Sequence, residues 1–311
     1  MTDMNSPSAI DKTLMVLDAV LEHSRFTDVV NATGLAKSTV HRIMASLVEH
    51  EFVAQAEDGS YHPGPKALRL AGHALTNVDL ATVARPVLAD LVAQTRCTVH
   101  VGLLNGDEAI YVARLDGPKP YRMPSRVGKA FWLHCTGIGK ALLAEKDDDA
   151  LDAHITRTGL PARTPLTHTT AAALKADLAQ VRARGYALDD EENEPGIRCV
   201  ASVIHDHTGT AIAAVSISTL SLEQSIAQVA LMAPAAIEAA RKISAALGYR
   251  EPTNRRAAAQ RTTGTNSTPT TANHPPRMIQ PATPRPSGSS AMTLGASIEL
   301  TDVLVFHTPW Y

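Results

Sequence analysis

The sequence predicts an α+β chain: an N-terminal winged helix-turn-helix, a linker helix, and a larger domain whose antiparallel sheet is covered by helices. Three observations carry this. Two short helical patterns meet at Gly34, and the second is followed by an Asp58-Gly59 turn between short strand-like runs. Further along, two more hairpin patterns are separated by helical ones, as in a helix-covered antiparallel sheet. Beyond Arg250 the composition changes: residues 251–311 hold eight of the 19 prolines, with many Thr, Ser and Asn.

The expected division is a winged helix-turn-helix domain at 1–64, a linker helix at 65–79, a larger α+β domain at 80–250 and a mostly disordered tail at 251–311. A tail of that composition buries too little apolar surface to offset its ordering entropy. Its last stretch, Ile298 to Tyr311, turns apolar again and reads as a short strand, a partner-binding peptide or an unconstrained extension.

Each element has a local reason. Ile10, Leu14, Leu17 and Leu21 repeat at helical spacing and predict a helix from Ser8 to Glu22 with that stripe facing the core. A short helix over Asp28–Thr33 ends at Gly34, the residue that most readily takes left-handed geometry. The next helix begins near Ala36, with Val40, Ile43, Met44, Leu47 and Val48 on its apolar face. Phe52–Gln55 and Tyr61-His62 form the wing. Pro65 to Thr76 is the linker helix, with Leu68, Gly72 and Leu75 on one side as a candidate dimer contact. Val83, Val87, Leu88 and Leu91 open the second domain.

In that domain Thr98–Leu104 pairs with Ala109–Leu115, and Cys199–His205 with Thr210–Ser218. Between them, Thr169 or Thr170 caps a helix that runs to Arg184 and stops at Gly185. Ser221-Leu222-Glu223-Gln224 has the spacing of a capping box and is expected to open a final helix running to Leu247.

The bulk numbers narrow the function classes. Net charge is -2, so the body is not that of a generally basic nucleic-acid binder. Residues 1–75 hold six Lys/Arg against nine Asp/Glu, so positive charge must be concentrated locally. It is: Lys37, His41 and Arg42 fall together, with no acid between Asp28 and Glu49. No run of eighteen apolar residues occurs and the N-terminus is short and polar, so neither a membrane span nor a signal peptide is expected. The three cysteines, Cys97, Cys135 and Cys199, form no CxxC pair, which fits a reducing cytoplasm.

The candidate sites follow from residue type and position. Lys37, Ser38, Thr39, His41 and Arg42 make the polar front of the third helix, suited to a major groove; Tyr61 and His62 of the wing join them. The bland alternative is a solvated helix face. Gly137-Ile138-Gly139-Lys140 lets a backbone approach an anion at a helix start, yet without GxxxxGK[ST] it reads first as a strand-to-helix turn. Asp189-Asp190-Glu191-Glu192 reads as a largely solvated acidic loop. Ser216 and Ser218 share one strand face, and their hydroxyls need partners. No catalytic set assembles: Cys199 and His205 share a strand face but lie about 20 Å apart. No cofactor is expected. The competing class is a metal- or redox-sensing regulator using His134, Cys135 and Cys199.

The chain resembles the IclR family of bacterial regulators over residues 8–248. The resemblance lies in Thr33 through Arg42, in His134 through Ala144, in Gly185 through Glu192 with Pro195 through Ala201, and in Ala213 through Ser218. It implies a winged helix-turn-helix, a linker helix and a GAF-like effector domain. It also implies homodimers or homotetramers on double-stranded operator DNA, and a small carboxylic-acid effector. On the matching positions it implies effector contacts at Gly137, Ile138, Asp189, Cys199, Ser216 and Ser218.

Overall fold

The computed structural model describes residues 7–76, 79–119, 121 and 123–250. The proposed tail and its apolar end lie outside the described residues, as does the side chain of Leu75.

The N-terminal part is α1 (Ala9–Glu22), α2 (Phe26–Thr33), α3 (Lys37–Glu49), the hairpin β1 (Val53–Gln55) and β2 (Tyr61–Pro63), then α4 (Pro65–Thr76). Ser8 caps α1 in a reciprocal box with Asp11. α2 begins at Phe26, two residues before the expected start, and ends on Gly34 at φ 64°. Its small core joins Val16 and Val20 of α1, Val29 of α2, and Val40, Met44 and Leu47 of α3.

The expected core stripe of α1 is a correction. Ile10, Leu14 and Leu21 stand 72%, 55% and 55% exposed, and Leu17 is only partly buried. Val16, Ala19 and Val20 face the core instead. The helix carries more apolar residues than one face can bury, and the short β-branched side chains fit the close approach of α2 and α3. Val48 of α3 is likewise exposed rather than core.

The second part is α5 (Leu80–Thr95), β3 (Thr98–Asn105), β4 (Glu108–Leu115), β5 (Ala130–Phe131), α6 (Gly137–Ala144), α7 (Asp148–Thr158), α8 (Ala171–Arg184), β6 (Ala187–Asp190), β7 (Ile197–His205), β8 (Ala211–Leu220), α9 (Ile226–Ala230) and α10 (Ala233–Ala246). The six strands form one antiparallel sheet in the order β5-β4-β3-β8-β7-β6. Both predicted hairpins are present, and helices cover both faces. Val99, Val101, Val200, Val215 and Ile217 point toward α5 and α10. Ala201 and Ala214 point the other way, toward α6 and α8. Among the described residues no helix is long and apolar enough to cross a membrane.

The C-terminal helix also differs from expectation. Ser221–Gln224 is held in a turn by tertiary partners: Ser221 N donates to Gly196 O at 2.8 Å, and Arg198 donates to Ser221 O and Gln224 O. The capping box forms four residues later, between Ser225 and Gln228, and opens only the five-residue α9. Pro234 then lies in the first turn of α10. A proline there has no N–H to give and clashes with the preceding turn, so one continuous helix is excluded.

α6 lies close enough to its neighbours that a side chain at Gly139 has no room. A Cβ there would fall 2.2 Å from Leu133 O and 2.3 Å from Leu133 Cα. Overpacking of this kind costs about 1–3 kcal/mol. Gly139→Ala is therefore expected to lower the thermal midpoint of the full chain by several degrees; an unchanged midpoint would contradict the close approach.

Candidate functional site

The first candidate surface is the front of α3. The left-handed turn at Gly34 re-aims the chain so that α3 buries Val40, Ile43, Met44 and Leu47. The opposite side then exposes Lys37, Ser38, His41 and Arg42, while Thr39 is half-buried. Lys37 and Arg42 make no ion pair with a described residue, so their charge is uncommitted. His41 meets the ring of Phe26 edge-on, with ring centroids 6.1 Å apart. In the wing, Asp58 Oδ1 accepts from Ser60 N and Oγ at 3.0 and 2.6 Å and closes the turn. His62 is exposed. Tyr61 is half-buried against the core, and its backbone N–H donates to Ser24 O at 2.7 Å. It anchors the wing as well as lining its surface.

The second candidate is a cavity between α6 and the sheet that opens partly to solvent. All six effector residues named from the sequence line it: Gly137, Ile138, Asp189, Cys199, Ser216 and Ser218. Strand register explains the convergence. Asp189 pairs with Cys199, Cys199 with Ser218, and Ser218 with Thr98, one row across four strands. Ser216 and His100 pair one step along, on the same face. The intervening residues, Val99, Val200 and Ile217, face the opposite core.

Above this row stands the N-terminus of α6. The helix begins at Gly137, with Thr136 as cap accepting from Gly139 N at 3.0 Å. The amides of Gly137 and Ile138 belong to the first turn and have no intrahelical acceptor. A Cβ on Gly137 would lie 3.3 Å from Ala201 Cβ and 3.4 Å from Cys199 Cβ, so the helix end rests on β7.

Sequence reasoning missed His100, Tyr111, Ser125, Thr136, Asn193 and Glu194, which complete the lining. His100 is the centre of a relay. Its Nδ1 lies 3.3 Å from Ser218 Oγ, which lies 3.1 Å from Cys199 Sγ; its Nε2 lies 2.7 Å from Ser125 Oγ. Burial, with Arg114 nearby, pushes its pKa down to about 3, so the ring is neutral. Arg114 ties the loop of Ser125 to β4 by donating to Met123 O at 3.0 Å and to Ser125 O. A histidine interrupting the apolar run Thr98–Leu104 was the available signal.

The acidic run is not a solvated loop, which corrects the expectation. Asp189 and Glu192 are buried, and Asp190 and Glu191 pair with Arg198. Glu192 is bound by Lys140, whose ammonium also lies 2.7 Å from Asp177. Glu192 N donates to Asp189 Oδ1 at 2.9 Å, yet burial and the neighbouring Glu192 charge push Asp189 up to about 7.

His134, Cys135 and Cys199 have separate partners. His134 Nε2 lies 3.0 Å from Pro161 O, Cys135 Sγ faces Asn193 Oδ1 at 3.7 Å, and Cys199 faces Ser218. Burial raises both thiols, Cys135 to about 12 and Cys199 further, so both are held as the protonated thiol in these surroundings. Among the described residues, the side chains with metal-ligand proximity are His168, Asp177 and Glu192. The Lys140 ammonium already pairs with both of those carboxylates.

A helix-turn-helix with an uncommitted cationic front, followed by a helix-covered sheet with a partly open cavity that carries a row of polar side chains, defines a DNA-binding transcription regulator with an effector domain. Residues 9–57 match the IclR helix-turn-helix domain, and residues 72–245 the C-terminal domain of the bacterial transcriptional regulator IclR. The chain belongs to the IclR family, whose members regulate transcription and are not enzymes. It is 36% identical over 258 residues to the HTH-type transcriptional regulator BhcR of Paracoccus denitrificans, covering 82% of this chain and 92% of that protein. It is 34% identical to XynR of Escherichia coli, covering 78% and 97%. Its fold resembles the repressor BlcR of Agobacterium tumefaciens (26% identity, TM-score 0.66, covering 78% of this chain and 98% of that one). It also resembles the Thermotoga maritima IclR (31% identity, TM-score 0.54, covering 77% and 98%).

The raised Asp189 has a pH consequence. A carboxyl held above its unfolded value of 3.8 favours the folded state at low pH, and that contribution is lost as pH rises toward about 7. Relative to Asp189→Asn, the native chain should gain thermal stability as pH is lowered from 7.5 to 5. A constant difference across that range would refute the assignment.

Proposed function

We propose that this regulator reads operator DNA with Lys37, Ser38, Thr39, His41 and Arg42 in the major groove, and that a small carboxylate in the α6 cavity sets its operator affinity. Tyr61 and His62 extend the contact from the wing. The observation that carries the effector reading is the polar row Asp189, Cys199 and Ser218, with Ser216 beside it, lying beneath the open amides of Gly137 and Ile138 on an otherwise apolar sheet. Backbone N–H groups and hydroxyls replace the water that an anion loses on burial. Asp189 accepts from a hydroxyl of the acid when ionised and donates to it when protonated, so hydroxy acids and keto-acid hydrates are the favoured class.

In this reading residues 1–64 are the reading head, 65–79 the linker and 80–250 the effector domain, acting in the cytoplasm where the DNA is. The chain works as a homodimer or homotetramer, because one head makes few base contacts and paired heads read half-sites about 34 Å apart. Exposed Leu68 and Leu70 of α4, with Ile10, Leu14 and Leu21 of α1, supply apolar surface for a second copy. The acid binds one conformation better, and the linkers convert that preference into the spacing of the heads.

Two experiments test the two halves. On duplexes selected by the full chain from a random library, Arg42→Ala and Lys37→Ala should each weaken binding, and Lys37→Ala should lower the salt slope by about one. Unchanged affinity and slope in both would remove α3 as the reader. Ser216→Ala and Ser218→Ala should abolish release or tightening by a bound acid while leaving acid-free DNA affinity intact. A full acid response in both variants would place the effector elsewhere.

A further inference from the structure

A second, more polar cavity lies beside the α6 cavity. The two share a wall of Tyr111, Pro124, Ser125, Asn193 and Glu194. The outer cavity is completed by Lys129, Phe131, Trp132 and Arg163. Both cations stand on fixed backbone. Lys129 O accepts from Tyr111 N at 3.1 Å, beside β4, and Gly128 N donates to Tyr111 O at 2.8 Å. Arg163 N donates to Thr167 Oγ1 at 3.0 Å, and the Thr164 and Thr167 hydroxyls bind carbonyls of Glu191 and Glu192 at 2.7 and 2.6 Å. Neither Lys129 nor Arg163 makes an ion pair with a described residue.

From the inner cavity to the outer one the lining chemistry changes in order. The inner end offers amide and hydroxyl donors. The junction offers Ser125, Asn193 and the half-buried Glu194, with Asp189 just inside. A carboxylate such as Glu194 repels a ligand charge at that point but accepts from ligand hydroxyls. The outer end offers two uncommitted cations beside the Trp132 ring, which favour a second negative group.

We infer that the outer cavity is a second anion subsite, and that the effector is an extended hydroxylated acid with an anionic group at each end. The second group is a carboxylate, as in a sugar dicarboxylate, or a phosphate, as in a phosphorylated sugar acid. This rests on the proposed assignment of the inner cavity as the carboxylate site.

The test is calorimetry on the full chain with pyruvate, galactonate, galactarate and 6-phosphogluconate. Galactarate or 6-phosphogluconate should bind about tenfold tighter than galactonate, as two half-exposed charge contacts provide. The double variant Lys129→Ala, Arg163→Ala should erase that advantage and leave pyruvate and galactonate unaltered. Lys242→Ala, which removes an exposed charge on α10, should retain it. Preference for galactarate identifies a carboxylate at the outer end, and preference for 6-phosphogluconate a phosphate. A dianion no tighter than galactonate, or an advantage that survives the double variant, overturns the subsite. If pyruvate or galactonate still binds in a manner weakened by Ser216→Ala, the subsite alone falls. If Ser216→Ala changes no affinity, or none of the four acids binds, the inner-site reading falls with it.

Discussion

The approach of α6 to the sheet governs the effector domain. Two glycines let the helix start on β7 and pass against Leu133, and any side chain at Gly139 would meet backbone rather than a movable side chain. That contact places the first-turn amides over the polar row of β6, β7 and β8. It also buries Lys140, the next residue, among Asp177 and Glu192. A buried ammonium is tolerated only when its partners are in place, so this triad fixes the rotation of α6 about its axis and not merely its distance.

The same triad sets the electrostatics of the cavity. Glu192 is held by Lys140 on one side and, through its backbone N–H, holds Asp189 on the other. Burial, together with the Glu192 charge beside it, therefore keeps Asp189 up to about 7 even though Lys140 stands nearby. Asp190 and Glu191 turn outward to Arg198. Four consecutive acids thus divide into two roles by strand alternation and turn geometry, a distribution that their sequence identity alone does not disclose.

Much of the architecture was legible because it rests on local chemistry. Gly34, Asp58-Gly59, Thr170 and Gly185 act through their own backbones and appear where expected. The misreadings arose where tertiary contacts chose between equivalent local options. α1 has two adjacent apolar stripes, and α2 and α3 selected the one built on Val16 and Val20. Two Ser-x-x-Gln spacings follow β8, and the partners of Arg198 claimed the first. In the site, the residues named from the family blocks converge, because those blocks are the strands and helix end that meet. His100, Ser125 and Asn193 come from segments whose pairing with the blocks is visible only once the sheet is assembled.

That pairing gives the cavity a directional element. His100 is neutral, so one ring nitrogen carries a proton and the other accepts. With Nε2 protonated, His100 donates to Ser125, and Ser218 donates to Nδ1. With Nδ1 protonated, His100 donates to Ser218, and Ser125 donates to Nε2. The two arrangements interconvert only as a set. A carboxylate that takes the Ser218 hydroxyl proton as a donor removes it from Nδ1 and leaves the second arrangement. A carboxylate bound there would thereby set the orientation of the Ser125 hydroxyl, although Ser125 lies 93 positions away in sequence, in the loop that Arg114 ties to β4. Because Ser125 lines both cavities, the hydrogen-bond chain couples the polar row of the inner cavity to the wall it shares with the outer one.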